Sequence, residues 1–219
     1  ELLIVNDNST DNTRALLEQL CYHLPTVRYV DNAASNGYGH AVKRGLNAFR
    51  GECVAIVMAD GSDDPEDLIR YYRKWSEGFD CVFGDRFSRN SKVIDYPWPK
   101  LCLNRIGNNL IRLLFLIRYK DISNAFKLYG RNVIEDLYPL RSSGFNLTVE
   151  MPLKAVVRDY SYAVIPNNWY NRELGRSKWK INETLSQYLS ILFQCWLEQI
   201  IGRQDAHRSS SGLKVKQKR

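Results

Sequence analysis

The feature that most constrains this chain is an alternation. Over residues 1–84, short apolar runs take turns with helical stretches, and each run ends in a polar cluster. "ELLIV" (1–5) predicts a strand, and a helix follows from about Asp11 to Tyr22, capped by Ser9 or Asp11. A strand "TVRYV" (26–30), a helix from about Tyr38 to Phe49 and a buried strand "CVAIVM" (53–58) come next, then a helix from about Pro65 to Trp75 and a strand "DCVFG" (80–84). This spacing predicts an α/β fold with a mostly parallel sheet flanked by helices on both faces. Ligands of such sheets bind beyond the carboxyl ends of the strands. Three polar clusters fall there: "NDNSTDNT" (6–13), "ADGSDD" (59–64) and "GDRF" (84–87). The second half predicts a long helix around 100–117, a strand "NAFKLY" (124–129), a helix from about Asn132, an amphipathic helix over about Thr148–Val157, a strand "YAVIP" (162–166) and a last helix from about Glu183 to Ile201.

Charge has to be located before it is interpreted. Of the net +7, the segment 203–219 holds +5, with six Lys/Arg against one Asp, so the body is nearly neutral. Nucleic-acid binding is therefore not expected. The expected organisation is a catalytic-sized domain over 1–180, an amphipathic helix over 181–202 and a basic, disordered tail over 203–219 that could tether weakly to anionic lipid. Cys21, Cys53, Cys81, Cys102 and Cys195 are scattered without metal-ligand spacing, which predicts reduced, buried thiols and a cytoplasmic protein. No signal peptide is expected, nor any run of about 18 apolar residues able to span a bilayer.

Five carboxylates crowd the eight positions from Asp60 to Asp67. Asp64 before Pro65, with Glu66 and Asp67 following, suits a helix start. That role leaves Asp60 and Asp63 unexplained. They lie on a turn after a buried strand, where paired carboxylates repel unless a cation separates them, and such hard ligands suit Mg2+ or Mn2+ on a diphosphate. Spacing alone leaves metal binding and plain turn chemistry both open. Asp7 divides in the same way, between turn chemistry and a hydrogen bond to a ribose or base. The Gly-rich "NGYGHAVKRG" (36–45) lacks a full phosphate-loop fingerprint. His40 reads as a helix-surface residue.

Six segments in order, "LLIVNDNSTDNT", "SNGYGHAVKRGL", "ADGSDDPEDL", "GDRFS", "DISNAFKLYGRNVI" and "NRELGRSK" (171–178), resemble the family 2 glycosyltransferases of GT-A fold. Within that family they are most similar to the polyprenyl- and dolichyl-phosphate sugar transferases. The resemblance implies that Asp7 contacts the nucleotide and that Asp60, with Asp63, holds Mg2+ or Mn2+ as the second carboxylate of a D-x-D element. It further implies that Arg86, Arg105, Asn109, Arg172, Ser177 and Lys178 form the site for an acceptor phosphate, where Arg suits bidentate capture. Three departures stand out. Met58 occupies the place of the first D-x-D Asp, Asn109 that of a Ser, and the family's usual first strand is missing.

The implied reaction transfers a sugar from a nucleoside diphosphate sugar to a polyprenyl phosphate, inverting the anomeric centre, at the cytoplasmic face of a membrane. A phosphate monoester is largely dianionic at neutral pH, so it needs no strong base. A glycan hydroxyl acceptor is the alternative, with Glu150 or Asp121 as the base it would require. A non-catalytic nucleotide-sugar-binding relic is a third reading. The helix near 106–117 and the last helix are read as either core packing or an apolar ledge for lipid.

Overall fold

In the computed structural model, which describes residues 1–33, 35–171 and 185–201, the predicted alternation is realised. The elements are β1 (Leu2–Asn6), α1 (Thr13–His23), β2 (Val27–Asp31), α2 (Tyr38–Leu46), β3 (Cys53–Ile56), α3 (Pro65–Trp75) and β4 (Cys81–Asp85). A short β5 (Val93–Ile94), α4 (Trp98–Phe115), β6 (Lys127–Gly130), α5 (Arg131–Leu137), α6 (Leu147–Val157), β7 (Tyr162–Pro166) and β8 (Trp169–Tyr170) follow. The last described helix, α7, spans 185–201.

Parallel pairing predominates, in β1 with β2, β4 with β7 and β5 with β8. The exception is β6, which lies between β3 and β4 and is antiparallel to both. Because β6 runs the other way, the loop that precedes it, residues 118–126, arrives at the edge where β3 and β4 end. That topology brings loops far apart in sequence to one place. The strands form three separate sheets, β1-β2, β3-β6-β4-β7 and β5-β8.

The two-residue period of strands decides which face each side chain fills. Val82 of β4, Leu128 of β6 and Phe126, just before β6, pack under α3 with Tyr71. Cys81, Phe83 and Tyr129 turn to the larger core, with residues of α4, α5, α6 and α7. The α3 start is as expected: Asp64 is the N-cap and accepts from the Glu66 amide at 3.0 Å, with Pro65 in the first turn. At α1 the N-cap is Asn12, without a side-chain cap bond, rather than Ser9 or Asp11; the Thr13 amide donates at 3.0 Å to Oδ1 of Asp11, one residue before the cap.

Several expectations need correction. Helix α2 ends at Leu46 rather than Phe49, and β6 begins at Lys127 rather than Asn124, because the Asn124 side chain is committed to Gly84 O and Asn167 Oδ1. Helix α6 is not amphipathic: nine of its 11 residues are buried, the charged Glu150 and Lys154 among them. Cys102 is exposed, and Cys21 and Cys53 are half-buried. His40 is half-buried. The tail over 203–219 lies outside the described residues.

Candidate active site

The carboxyl ends of β1, β3 and β4 carry the three polar clusters that the sequence singled out. At the first, Asp7 ties the end of β2 to the Gly-rich segment: Oδ1 accepts from Asn32 Nδ2 at 2.7 Å and Oδ2 from the Gly37 amide at 2.9 Å. Gly37 has a φ of 144°, open to glycine at little cost. A side chain at Gly39 would lie 2.5 Å from the Ser143 carbonyl carbon, so α2 starts in close contact with that backbone. Asp7 thus organises this turn.

Beyond β3, the Ser62 amide donates to Asp60 Oδ1 at 3.2 Å, and the Met58 amide to Asp63 Oδ2 at 3.4 Å. Asp63 is buried. Burial pushes its carboxyl up to about 6, with Asp60 and Asp67 adding to the rise and the Met58 amide and Arg86 opposing it. Two carboxylates so placed satisfy the donor chemistry of a hard divalent cation. Among the described residues no three His, Cys, Asp or Glu side chains converge on one point, so any such ion would draw further oxygens from its ligand. Asp67, expected only to favour the helix dipole, is a buried anchor: it pairs with Arg70 and accepts from the Asn168 amide at 2.7 Å.

At the end of β4, Arg86 departs from its expected role. It is buried, and Asp121 takes its Nε and Nη2 at 2.8 Å each and its amide at 3.0 Å. The fork expected to clamp a phosphate is closed on a carboxylate. That pairing equally removes Asp121 as a catalytic base. Glu150 is unsuited for the same reason: fully buried, it accepts from the Arg141 and Ser142 amides at 2.8 and 2.7 Å and pairs with Lys154 at 3.1 Å.

Arg105, on α4, has donor capacity to spare. Its guanidinium lies 5.0 Å from the Phe87 ring centre, which Arg86 approaches to 5.4 Å. Its Nη1 is buried and donates to no group among the described residues. A buried donor left unused costs about 1–3 kcal/mol, and an anionic ligand oxygen would recover that. Asn109, one turn on, accepts from Arg112 at 3.0 Å and is exposed. Arg172, Ser177 and Lys178 lie outside the described residues.

What joins the carboxylates to the cations is a set of aromatic side chains that the sequence did not single out. Phe87 meets Tyr96 at 5.8 Å, Tyr96 meets Trp169 at 4.8 Å, and Trp169 bridges to Asp63 through its backbone. The loop before β6 fixes the frame: Ser123 contacts Asn104 and Asn108 of α4, and Asn124 reaches Gly84 and Asn167. A side chain at Gly84 would lie 1.9 Å from the Tyr71 hydroxyl. The motif containing residues 121–127 was visible in the sequence, but its partners come from four elements.

The chain belongs to glycosyl transferase family 2, whose defining pattern matches residues 1–138, and membership makes it a hexosyltransferase. It is 32% identical over 183 residues to the polyprenol monophosphomannose synthase of Mycolicibacterium smegmatis, covering 81% of this chain and 69% of that protein. It is 27% identical to glycosyltransferase AglJ of Haloferax volcanii over 80% of this chain, and spans 55% of that protein's length. A glucosyl-3-phosphoglycerate synthase from Mycobacterium tuberculosis, crystallised with Mn2+, UDP-glucose and phosphoglyceric acid, has a similar fold. The TM-score is 0.61 at 17% identity, over 90% of this chain and 68% of that one.

Proposed function

We propose that the protein transfers a hexose from a nucleoside diphosphate sugar to a polyprenyl phosphate, with inversion, at the cytoplasmic surface of the membrane that holds the lipid. The observation that carries this reading is Arg105, whose buried Nη1 has no partner and whose guanidinium shares the Phe87 ring with Arg86. An anionic acceptor suits that position, and similarity to a polyprenol monophosphomannose synthase supports a lipid phosphate as the anion. A hydroxyl acceptor would need a base, and Asp121 and Glu150 are both committed elsewhere.

Asp60 and Asp63 would hold Mg2+ or Mn2+, which when bound supplies positive charge for the departing diphosphate. Asp7 and the turn it fixes would seat the nucleotide. Arg105, with Arg172, Ser177 and Lys178, would orient the acceptor oxygen toward the anomeric carbon, which is where most of the rate gain of such a site arises. The Arg86–Asp121 pair would hold the backbone between them. The acceptor phosphate, already dianionic, needs no proton removed.

The test is transfer from labelled UDP- and GDP-sugars to short polyprenyl phosphates with Mn2+ or Mg2+. A lipid-linked hexose is expected, lost on chelation and reduced about a hundredfold or more in Asp60→Ala and Arg105→Ala, the magnitude typical of a lost charge-stabilising group. Transfer to a sugar alcohol in preference to the lipid phosphate would overturn the reading.

A further inference from the structure

Helix α4 presents the wrong side chains to water. Its inner face buries Ile111 and Phe115, as a core-facing stripe should. On its outer side Leu103, Ile106, Leu110 and Leu113, at helical spacing, are 50%, 65%, 58% and 74% exposed. A contiguous apolar surface of this kind marks an interaction site. The helix stops at Leu116, whose φ of 56° turns the chain into an extended segment. There Leu116, Arg118 and Lys120 face outward, while Ile117 and Tyr119 are buried.

Arg118 and Lys120 line a groove of about 410 Å3 together with Arg89, Ser88, Tyr162, Val164 and the carboxyl of Asp85, so three cations face one acid there. None of Arg89, Arg118 and Lys120 forms an ion pair among the described residues. From Tyr96 to Lys120 the chain holds five Lys/Arg and no Asp or Glu. A second copy docking face to face would set these charges against one another. At this same C-terminal end of α4, α7 joins it where Gln199 Nε2 donates to Phe115 O at 3.4 Å. Leu189 and Phe193 of α7 are exposed as well.

We propose that the outer face of α4 and the cationic groove beyond it dock the protein on an anionic lipid bilayer, the leucines entering the acyl boundary and the groove receiving lipid phosphates. Apolar side chains flanked by cations at headgroup depth are what an interfacial helix requires. Among the described residues no helix is long and apolar enough to cross a membrane, so this face would lie on the bilayer. The inference deepens the proposed function, in which the acceptor is membrane-held, and locates that membrane on the helix that carries Arg105.

The test is sedimentation with vesicles of phosphatidylcholine, with and without phosphatidylglycerol, in the absence of donor and acceptor. Binding to the anionic vesicles is expected, weakening with salt. Each basic side chain near an anionic surface contributes roughly 1 kcal/mol, about fivefold, so Arg118→Ala with Lys120→Ala should lose about thirtyfold. Leu113→Glu should also release the protein, whereas Leu16→Glu, on α1, should not. Equal binding to neutral vesicles, or binding indifferent to both sets of variants, would overturn the inference. So would absence of vesicle binding together with self-association that Leu113→Glu abolishes, which would assign the face to a second copy. Because no transfer is measured, failure here leaves the transferase reading standing, and failure of transfer leaves this face testable.

Discussion

Lys127 places an ammonium in the protein interior. It is 1% exposed, and its Nζ donates to the carbonyls of Ile122 at 2.9 Å, Thr148 at 3.2 Å and Asn124. Two of these carbonyls belong to the loop whose Asp121 holds Arg86, so this side chain ties that loop to α6. Burial pushes the ammonium down to about 7, with Arg86 adding to the drop and Asp121 and Asp63 opposing it. Three acceptors matched to three N–H donors nevertheless favour the charged form. Lys127→Met keeps the volume and strands those carbonyls, so urea unfolding should show a loss of about 3 kcal/mol. An unchanged midpoint would mean that water replaces the ammonium. None of this was legible in "NAFKLY", which reveals a strand by its pattern but not the carbonyls waiting inside. Asp60 and Asp63 stood out in the sequence because the carboxylates there exceed what a helix cap needs. Arg86 was legible as a cation, but not its pairing with Asp121, 35 residues away.

Single elements tell a similar story, with α6 the clearest instance. Its Glu150 and Lys154, four residues apart, suggested a solvated face, but they meet inside the protein at 3.1 Å and divide the nearby backbone between them. Glu150 takes the amides of Arg141 and Ser142, and Lys154 donates to the carbonyls of Leu137 and Pro139. Periodicity reports which residues share a face, not whether a charged face has found its own counter-charges. Burial alone would raise the Glu150 carboxyl, but the hydrogen bonds from Ser142 and Arg141 and the charge of Lys154 hold it below the usual carboxylate range. A carboxyl whose folded pKa lies below its unfolded one adds stability above the unfolded value and loses it as pH falls through the folded value. Stability measured by urea unfolding should therefore drop on the acid side more steeply in the native sequence than in Glu150→Gln. At neutral pH that variant should already be about 3 kcal/mol less stable, because Lys154 has lost its partner. Parallel acid limbs in the two proteins would remove Glu150 from the account.

At the scale of the molecule, the division of the sheet is the dominant fact. The all-apolar β1 and β3 sequences, "LLIV" and "CVAI", have the composition of strands buried on both faces in a sheet interior. Yet Leu3 to Val5 and all of β3 are half-buried, and each strand pairs on one side only. The strands β1-β2 form one unit and β3-β6-β4-β7 a second. The first unit is held to the second largely through α2, by the Gly39 amide on Ser143 O at 3.0 Å and by Lys43 on Leu140 O at 3.5 Å. By contrast β4 is paired on both sides and every residue in it is buried. Local opening follows this kind of difference. In native-state hydrogen exchange, amides of β1, β2 and α1 should open together at a lower free energy than those of β4 and β6. Because Asp7 lies on the first unit and Asp60 and Asp63 on the second, a nucleoside diphosphate sugar held by both should raise the opening energy of the first unit selectively. At a hundred times its dissociation constant the ligand should add about 2.7 kcal/mol. Uniform protection of both units with no ligand present would show that α2 alone couples them, while a ligand effect confined to β4 and β6 would remove Asp7 from the donor site.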